Sequence, residues 1–218
     1  MNSALGHVRR FVPGNLILRA TISVTLGTAL WWFVLKGATL FLLRTLGSLA
    51  LGLLIAPVGY DAISVNPQTG EWVFNVAISA DVRNPQSGEE KHVNSVEFAA
   101  DKDKDNVAFF AVGWVSYLAL AFSANAFSKG QRKRLAKGLL LQTGINILSL
   151  TLYVYISAYG SVINSPAAAS EVWWLRYCYH IIYLVVPFAG PFAVALLMHP
   201  QWRDYFRIPN SALRAAHS

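Results

Sequence analysis

The sequence predicts an α-helical membrane protein with a small exported antiparallel β-meander, built from four transmembrane helices and one re-entrant or interfacial helix. Three observations predict this class. The chain has 218 residues, 55% hydrophobic and only 13% charged, with a mean hydropathy of +0.41; a soluble domain usually carries about 25% charged residues. Its apolar residues fall in runs of about 20, and a helix of that length covers roughly the 30 Å of a bilayer's hydrocarbon core. Between two such runs, residues 61–106 are polar, rich in turn residues and alternating with period two. Four regions follow: 1–60, a basic tail with the first span and the outer helix; 61–106, the β segment; 107–200, a three-helix bundle; and 201–218, a basic tail.

The first span is expected over residues 16–35, with Asn15 as N-cap and Arg19 close enough to the end to snorkel. A cleaved signal peptide is the rival reading. The run is too long for that, and it ends in Trp31-Trp32-Phe33 followed by Lys36, an interfacial belt and not a small-residue cleavage site. Residues 38–58 are apolar enough for a second span, but Arg44 lies within them. An arginine at the centre of a span costs about 2.5–3.5 kcal/mol on insertion scales. Arg44, Thr45, Ser48 and Gly52 share one helical face. The downstream charges decide between the readings. If 38–58 crosses, the cluster Lys129–Lys137 and the C-terminal arginines are exported, against the positive-inside rule. If it stays at the outer surface, every basic cluster lies inside and the β segment outside.

Within that segment, Asn66-Pro67-Gln68-Thr69-Gly70 has the residues of a tight reversal. Trp72, Phe74, Val76, Ile78 and Ala80 then fall on one face with Asn75 and Ser79 on the other, the mark of a half-buried strand. After a second break at 83–90, a shorter strand is expected over 92–98, and Asp101-Lys-Asp-Lys-Asp105 closes the segment as a solvated cap. About three strands are expected; so few bury little by themselves and need a neighbour to lean on. The remaining spans are 107–127, with a small-residue face of Gly113, Ser116, Ala119 and Ser123, then 138–159, and finally 173–198, where Pro187 and Pro191 should kink the helix.

The formal charge of +7 invites a nucleic-acid reading, but the basic residues sit in short clusters flanking apolar runs, where they set topology; no nucleic-acid partner is expected. The single cysteine, Cys178, excludes an intramolecular disulfide. Cys178 and His180 resemble a nucleophile and its base, yet residues two apart on a helix point about 200° away from each other. Arg176 and His180 share a face near the outer boundary and are candidates for an anionic headgroup or substrate. Gln142, Asn146, Ser149 and Tyr153 recur at helical spacing inside a span, and such residues face protein or water. They read as interhelical hydrogen bonding or as a substrate path. Arg44, Gln142, Asn146, Tyr153, Arg176 and His180 are the candidate contact residues. No metal-spaced cluster, phosphate loop, dinucleotide turn or nucleophile elbow is present, so neither a cofactor nor catalysis is expected.

Three stretches carry a family resemblance: Asp105-Asn-Val-Ala-Phe entering a span, Gly130-Gln-Arg-Lys-Arg-Leu-Ala-Lys-Gly-Leu-Leu-Leu141, and Tyr179-His-Ile-Ile-Tyr-Leu-Val-Val-Pro-Phe-Ala-Gly-Pro191. With the order of elements, they make the chain resemble the exosortase H-associated membrane proteins. The resemblance implies a non-catalytic inner-membrane accessory of a protein-sorting or envelope-assembly system. Its expected partners are membrane lipids and a multi-span exosortase or other envelope protein. An exosortase itself would place a cysteine and an arginine on separate elements, whereas Cys178 and Arg176 lie two apart on one helix. The alternative is a small transporter or intramembrane enzyme using the stripe from Gln142 to Tyr153 with Arg176 and His180.

Overall fold

A computed structural model describes residues 13–57, 59–83, 90–100, 107–126, 128–162 and 173–206. Helix dominates, with a small antiparallel sheet at one end of the bundle. Two helices are long and apolar enough to cross a membrane, 16–54 and 132–160; two shorter apolar helices cover 109–123 and 186–198.

The N-terminal half departs from expectation. Helix α1 (Pro13–Leu30) runs through a π-helical stretch, Trp31–Leu35, directly into α2 (Lys36–Leu54). No reversal separates the expected first span from the expected outer helix. The helix also starts at Pro13, where a missing N–H costs nothing in a first turn, ahead of the Asn15 cap expected. Gly37 alone is a weak breaker, and the wider turn takes up the irregularity while Trp31 Nε1 donates to Thr39 Oγ1 across it at 2.7 Å. The 39-residue helix from 16 to 54 extends about 58 Å, nearly twice the hydrocarbon thickness. Because α2 continues in the direction of α1, residues 38–58 do not fold back beside the first span.

The β segment is richer than a three-strand meander. Strands β1 (Ile63–Val65), β2 (Trp72–Val76) and β5 (Val96–Ala100) form one antiparallel sheet in the order β1-β2-β5. A separate hairpin, β3 (Ala80–Arg83) with β4 (Glu90–Val93), is inserted between β2 and β5. Trp72 pairs with Ala100, Phe74 with Phe98 and Val76 with Val96. The single strand expected over 92–98 is therefore two, interrupted at Asn94-Ser95. The reversal at 66–70 forms as its residues require: the Asn66 side chain accepts from Gln68 N–H at 2.9 Å, Gly70 N–H donates to Asn66 O at 2.8 Å, and Gly70 takes φ +70°. The expected acidic cap at 101–105 lies outside the described residues.

Trp72, Phe74, Val76 and Ile78 are all buried, as the period-two pattern requires. They rest on Leu40, Leu43 and Leu51 of α2, on Val107 and Phe110, and on Leu150, Tyr153 and Val154. These belong to α3 (Phe109–Ser123, with Val107 just before it) and α4 (Arg132–Val162). α3 is buried over most of its surface, with Phe122 near its end exposed, as expected of a short helix apolar all round. Asn125 in the left-handed region (φ 54°) ends it, Ala126 N–H bonding back to Ala121 O. The expected last span is occupied by α5 (Trp173–His180), a π-helical stretch Ile181–Val185, and α6 (Val186–Met198), followed by α7 (Pro200–Phe206). The irregularity falls just before Pro187, where the proline ring would press on the carbonyl four residues back.

The two ends of the bundle differ in chemistry. Leu16 and Ala20 of α1 cluster with Leu120, Ala124, Ala195 and Trp202, so the start of α1 and the ends of α3 and α6 meet at one end. Trp202 Nε1 donates to Leu120 O there at 3.1 Å. The basic run entering α4 is at this end too, because Leu135 packs with Tyr117, Ala121 and Val194. The sheet occupies the other end.

Candidate functional site

The polar face of α2 does not face the core. Leu40, Leu43, Gly47 and Leu51 point inward, while Arg44, Thr45, Ser48 and Gly52 line an open groove of about 760 Å³ whose opposite wall runs from Tyr60 to Val65. The guanidinium of Arg44 lies 5.8 Å from the Phe41 ring centroid, a cation–π approach. A smaller, adjoining cavity of about 290 Å³ shares Arg44 and is walled by Leu40, Phe41, Gly70 and Trp72. Thr45 donates its hydroxyl proton to Phe41 O at 2.9 Å, leaving its oxygen open as an acceptor.

Strand β1 is the edge of its sheet. Asn75 N–H donates to Ala62 O at 3.1 Å, and Asn66 N–H to Glu71 O at 2.9 Å. Backbone groups in an antiparallel strand alternate sides. Residues 62, 64 and 66 therefore face β2, and the N–H and C=O of Ile63 and Val65 face the free edge, in the groove wall. The groove thus joins a cation, hydroxyls, outward backbone donors and the Asp61 carboxylate.

The other candidate residues lie elsewhere. Gln142, Asn146, Ser149 and Tyr153 are all buried on α4. Gln142 Nε2 donates to Asn146 Oδ1 at 2.8 Å, within one helix and not between helices. Gln142 Oε1 and Asn146 Nδ2 have no protein partner. Exchanging O and N in both amides would only swap which donor and which acceptor are left over. The two amides abut Gly113, which leaves them room: a Cβ there would stand 2.5 Å from Asn146 Oδ1 and 2.6 Å from Gln142 Nε2. Ser149 is bonded back to Ile145 O, and Tyr153 stacks on Tyr183 with centroids 6.3 Å apart. His180 is exposed on α5, Cys178 is half-buried, and the side chain of Arg176 lies outside those described. The structure therefore unites Gln142 with Asn146 but gathers the six candidates into no single site. Among the described residues, no group of three or more His, Cys, Asp or Glu could hold a metal.

Three features escaped sequence reasoning. The first is the hydrogen bonding between α3 and α4, where Trp114 Nε1 donates to Thr143 Oγ1 at 2.8 Å and Tyr117 Oη to Leu135 O at 3.4 Å. Tyr117 and His199 meet through Oη and Nε2 at 3.1 Å, with His199 fully buried. The only signal for the second pair was a histidine and proline closing an apolar run. The third is the opposition of Arg44 and Asp61 across one groove, since neither periodicity nor spacing relates residues on a helix and on a later loop.

Protein-family descriptions, curated proteins and solved structures were each compared with the chain, and none matches.

Proposed function

We propose that the chain is a non-catalytic integral membrane accessory protein of an exosortase-type sorting or envelope-assembly system, anchored in a bacterial inner membrane. On this reading both termini are cytoplasmic, and the sheet is displayed on the outer side. One observation carries it: the sheet packs its apolar face into a core shared with α2, α3 and α4, at the end of the bundle opposite the basic run that enters α4, leaving its other face outward. Glu97 and Ala99 on that outward face are exposed. Basic clusters hold the other end inside by the positive-inside rule. A small polar sheet surface on a rigid helical seat suits docking of a protein partner by complementary contacts.

The test has two parts. In a Cys178→Ser background, a cysteine at Thr69 or Ser87 should react with a membrane-impermeant thiol reagent on intact cells, and one at Gly130 should not. Labelling at Gly130 alone inverts the topology. Replacing residues 61–105 by a flexible linker should abolish co-purification of the partner while the helices still insert; persistent co-purification would move the contact to the membrane-embedded faces.

The transporter reading draws on one observation, the unpaired amide atoms of Gln142 and Asn146 in the bundle interior. An intramembrane polar group without a partner is a mark of a polar path. Solute uptake lost in Asn146→Ala but retained in Asn146→Asp would favour it.

A further inference from the structure

We propose that the groove between α2 and the free edge of β1 binds the headgroup of a zwitterionic aminophospholipid, with the phosphate on Arg44 and the ammonium on Asp61. This rests on the membrane reading above, but not on the sorting role.

Arg44 is half-buried and Asp61 exposed, both border the groove, and neither has an ion pair among the described residues. A guanidinium is suited to phosphate because its planar fork donates two parallel hydrogen bonds. The outward N–H groups of Ile63 and Val65 add donors for the same oxygens. A purely anionic headgroup would meet the Asp61 carboxylate and be repelled; one that also carries a primary amine turns that repulsion into a second contact. Charge complementarity thus selects the phosphoethanolamine type over phosphoglycerol.

Two observations point to a lipid and not to a free phosphate compound. The adjoining cavity that shares Arg44 is walled by Leu40, Phe41 and Trp72, an apolar seat for the first carbons of an acyl chain. The flank of α2 beside Arg44 exposes Leu42, Leu49 and Leu53, and the last two line the groove itself, giving it an apolar border next to the cation. Continuing α1 outward, the helix carries Arg44 about 42 Å beyond Leu16, which reaches the headgroup layer of a bilayer about 40–45 Å thick overall.

The test uses the full chain in nanodiscs of equal parts phosphatidylethanolamine, phosphatidylglycerol and phosphatidylcholine, released for native mass spectrometry. Wild type should retain phosphatidylethanolamine above the other two. Arg44→Gln should lower total retention about tenfold, the scale of one lost charge-assisted contact. Asp61→Asn should keep retention but erase the preference over phosphatidylglycerol. Gly52→Phe provides a variant outside the charge pair: Gly52 lines the groove and a Cβ there meets nothing within 4 Å, so the ring has room to enter the groove and retention should fall. Normal thiol-labelling topology in each variant separates failure of this site from failure of the membrane reading. Unchanged retention in Arg44→Gln and Gly52→Phe overturns the site. Equal retention of the three lipids by wild type overturns the headgroup assignment. Displacement by soluble phosphoethanolamine at the lipid's own affinity overturns the lipid and assigns the groove to a soluble phosphate compound.

Discussion

Gly113→Ala is the sharpest probe of the bundle interior. The new methyl carbon would stand 2.5 Å from Asn146 Oδ1 and 2.6 Å from Gln142 Nε2, well inside van der Waals contact. Both atoms belong to the 2.8 Å hydrogen bond between the two amides, so the amides must part for the methyl to fit. Overpacking a core costs about 1–3 kcal/mol, and leaving a buried amide hydrogen bond unmade adds about 1–3 kcal/mol. The helix propensity gained by replacing glycine offsets only about 1 kcal/mol. The net expectation is destabilisation of about 2–4 kcal/mol, a fall in thermal midpoint on the order of 10 °C. Gly144→Ala is the internal control. It lies on the exposed face of α4 with nothing within 4 Å, so the propensity term acts alone and stability should rise by about 0.4–1 kcal/mol. The assay is thermal unfolding of the purified chain in one detergent, followed by intrinsic tryptophan fluorescence. Asn146→Ala removes the obstructing oxygen, so Gly113→Ala should cost at least about 1 kcal/mol less in that background than in wild type. A Gly113→Ala variant as stable as wild type, or additivity with Asn146→Ala, would refute the close approach of α3 to the amide pair.

Other expectations follow from the same packing. Gly138→Ala should destabilise at least as strongly as Gly113→Ala, because its methyl would run into the Tyr117 hydroxyl; unfolding in the same detergent checks it. Thr39→Val keeps the volume but removes the acceptor for Trp31 Nε1, which is nearly inaccessible, so stability should fall by about 1–3 kcal/mol. His199, one residue beyond the end of α6, has its pKa lowered by burial and secondarily by the Arg134 charge. The folded chain therefore holds the ring neutral, and the unfolded chain takes up the proton first. This contribution to stability is present above the ordinary histidine value of about 6.5 and is lost as pH falls through the lowered one. A His199→Phe variant should show a flatter pH dependence of its midpoint. Cys178→Ser should leave partner co-purification intact, since serine keeps the size and loses only the soft nucleophile; complete loss at normal membrane abundance would revive a catalytic reading.

The residues that alternate or repeat were legible in the chain. Trp72, Phe74, Val76 and Ile78 share a face because a strand repeats every two residues, and all four are buried whatever they rest on. Asn66 and Gly70 make their turn because its bonds are local. The burial of Gln142, Asn146, Ser149 and Tyr153 followed from helical spacing inside an apolar run. What those residues touch did not follow. Gln142 and Asn146 bond to one another, and the open space beside them comes from Gly113 on a different helix. The continuity of α1 with α2 was hidden because hydropathy cannot tell a turn from a π-helical stretch when both fall between apolar runs. The insertion of a β3–β4 hairpin between β2 and β5 was hidden because pairing across a sheet depends on register, which local composition does not carry. Composition and period thus determined which faces are apolar, but only the tertiary structure decided what covers them. Covering a face is a choice among distant segments, and it is settled by which of them can exclude lipid and water together: α2, α3 and α4 for the sheet, and an open groove for Arg44.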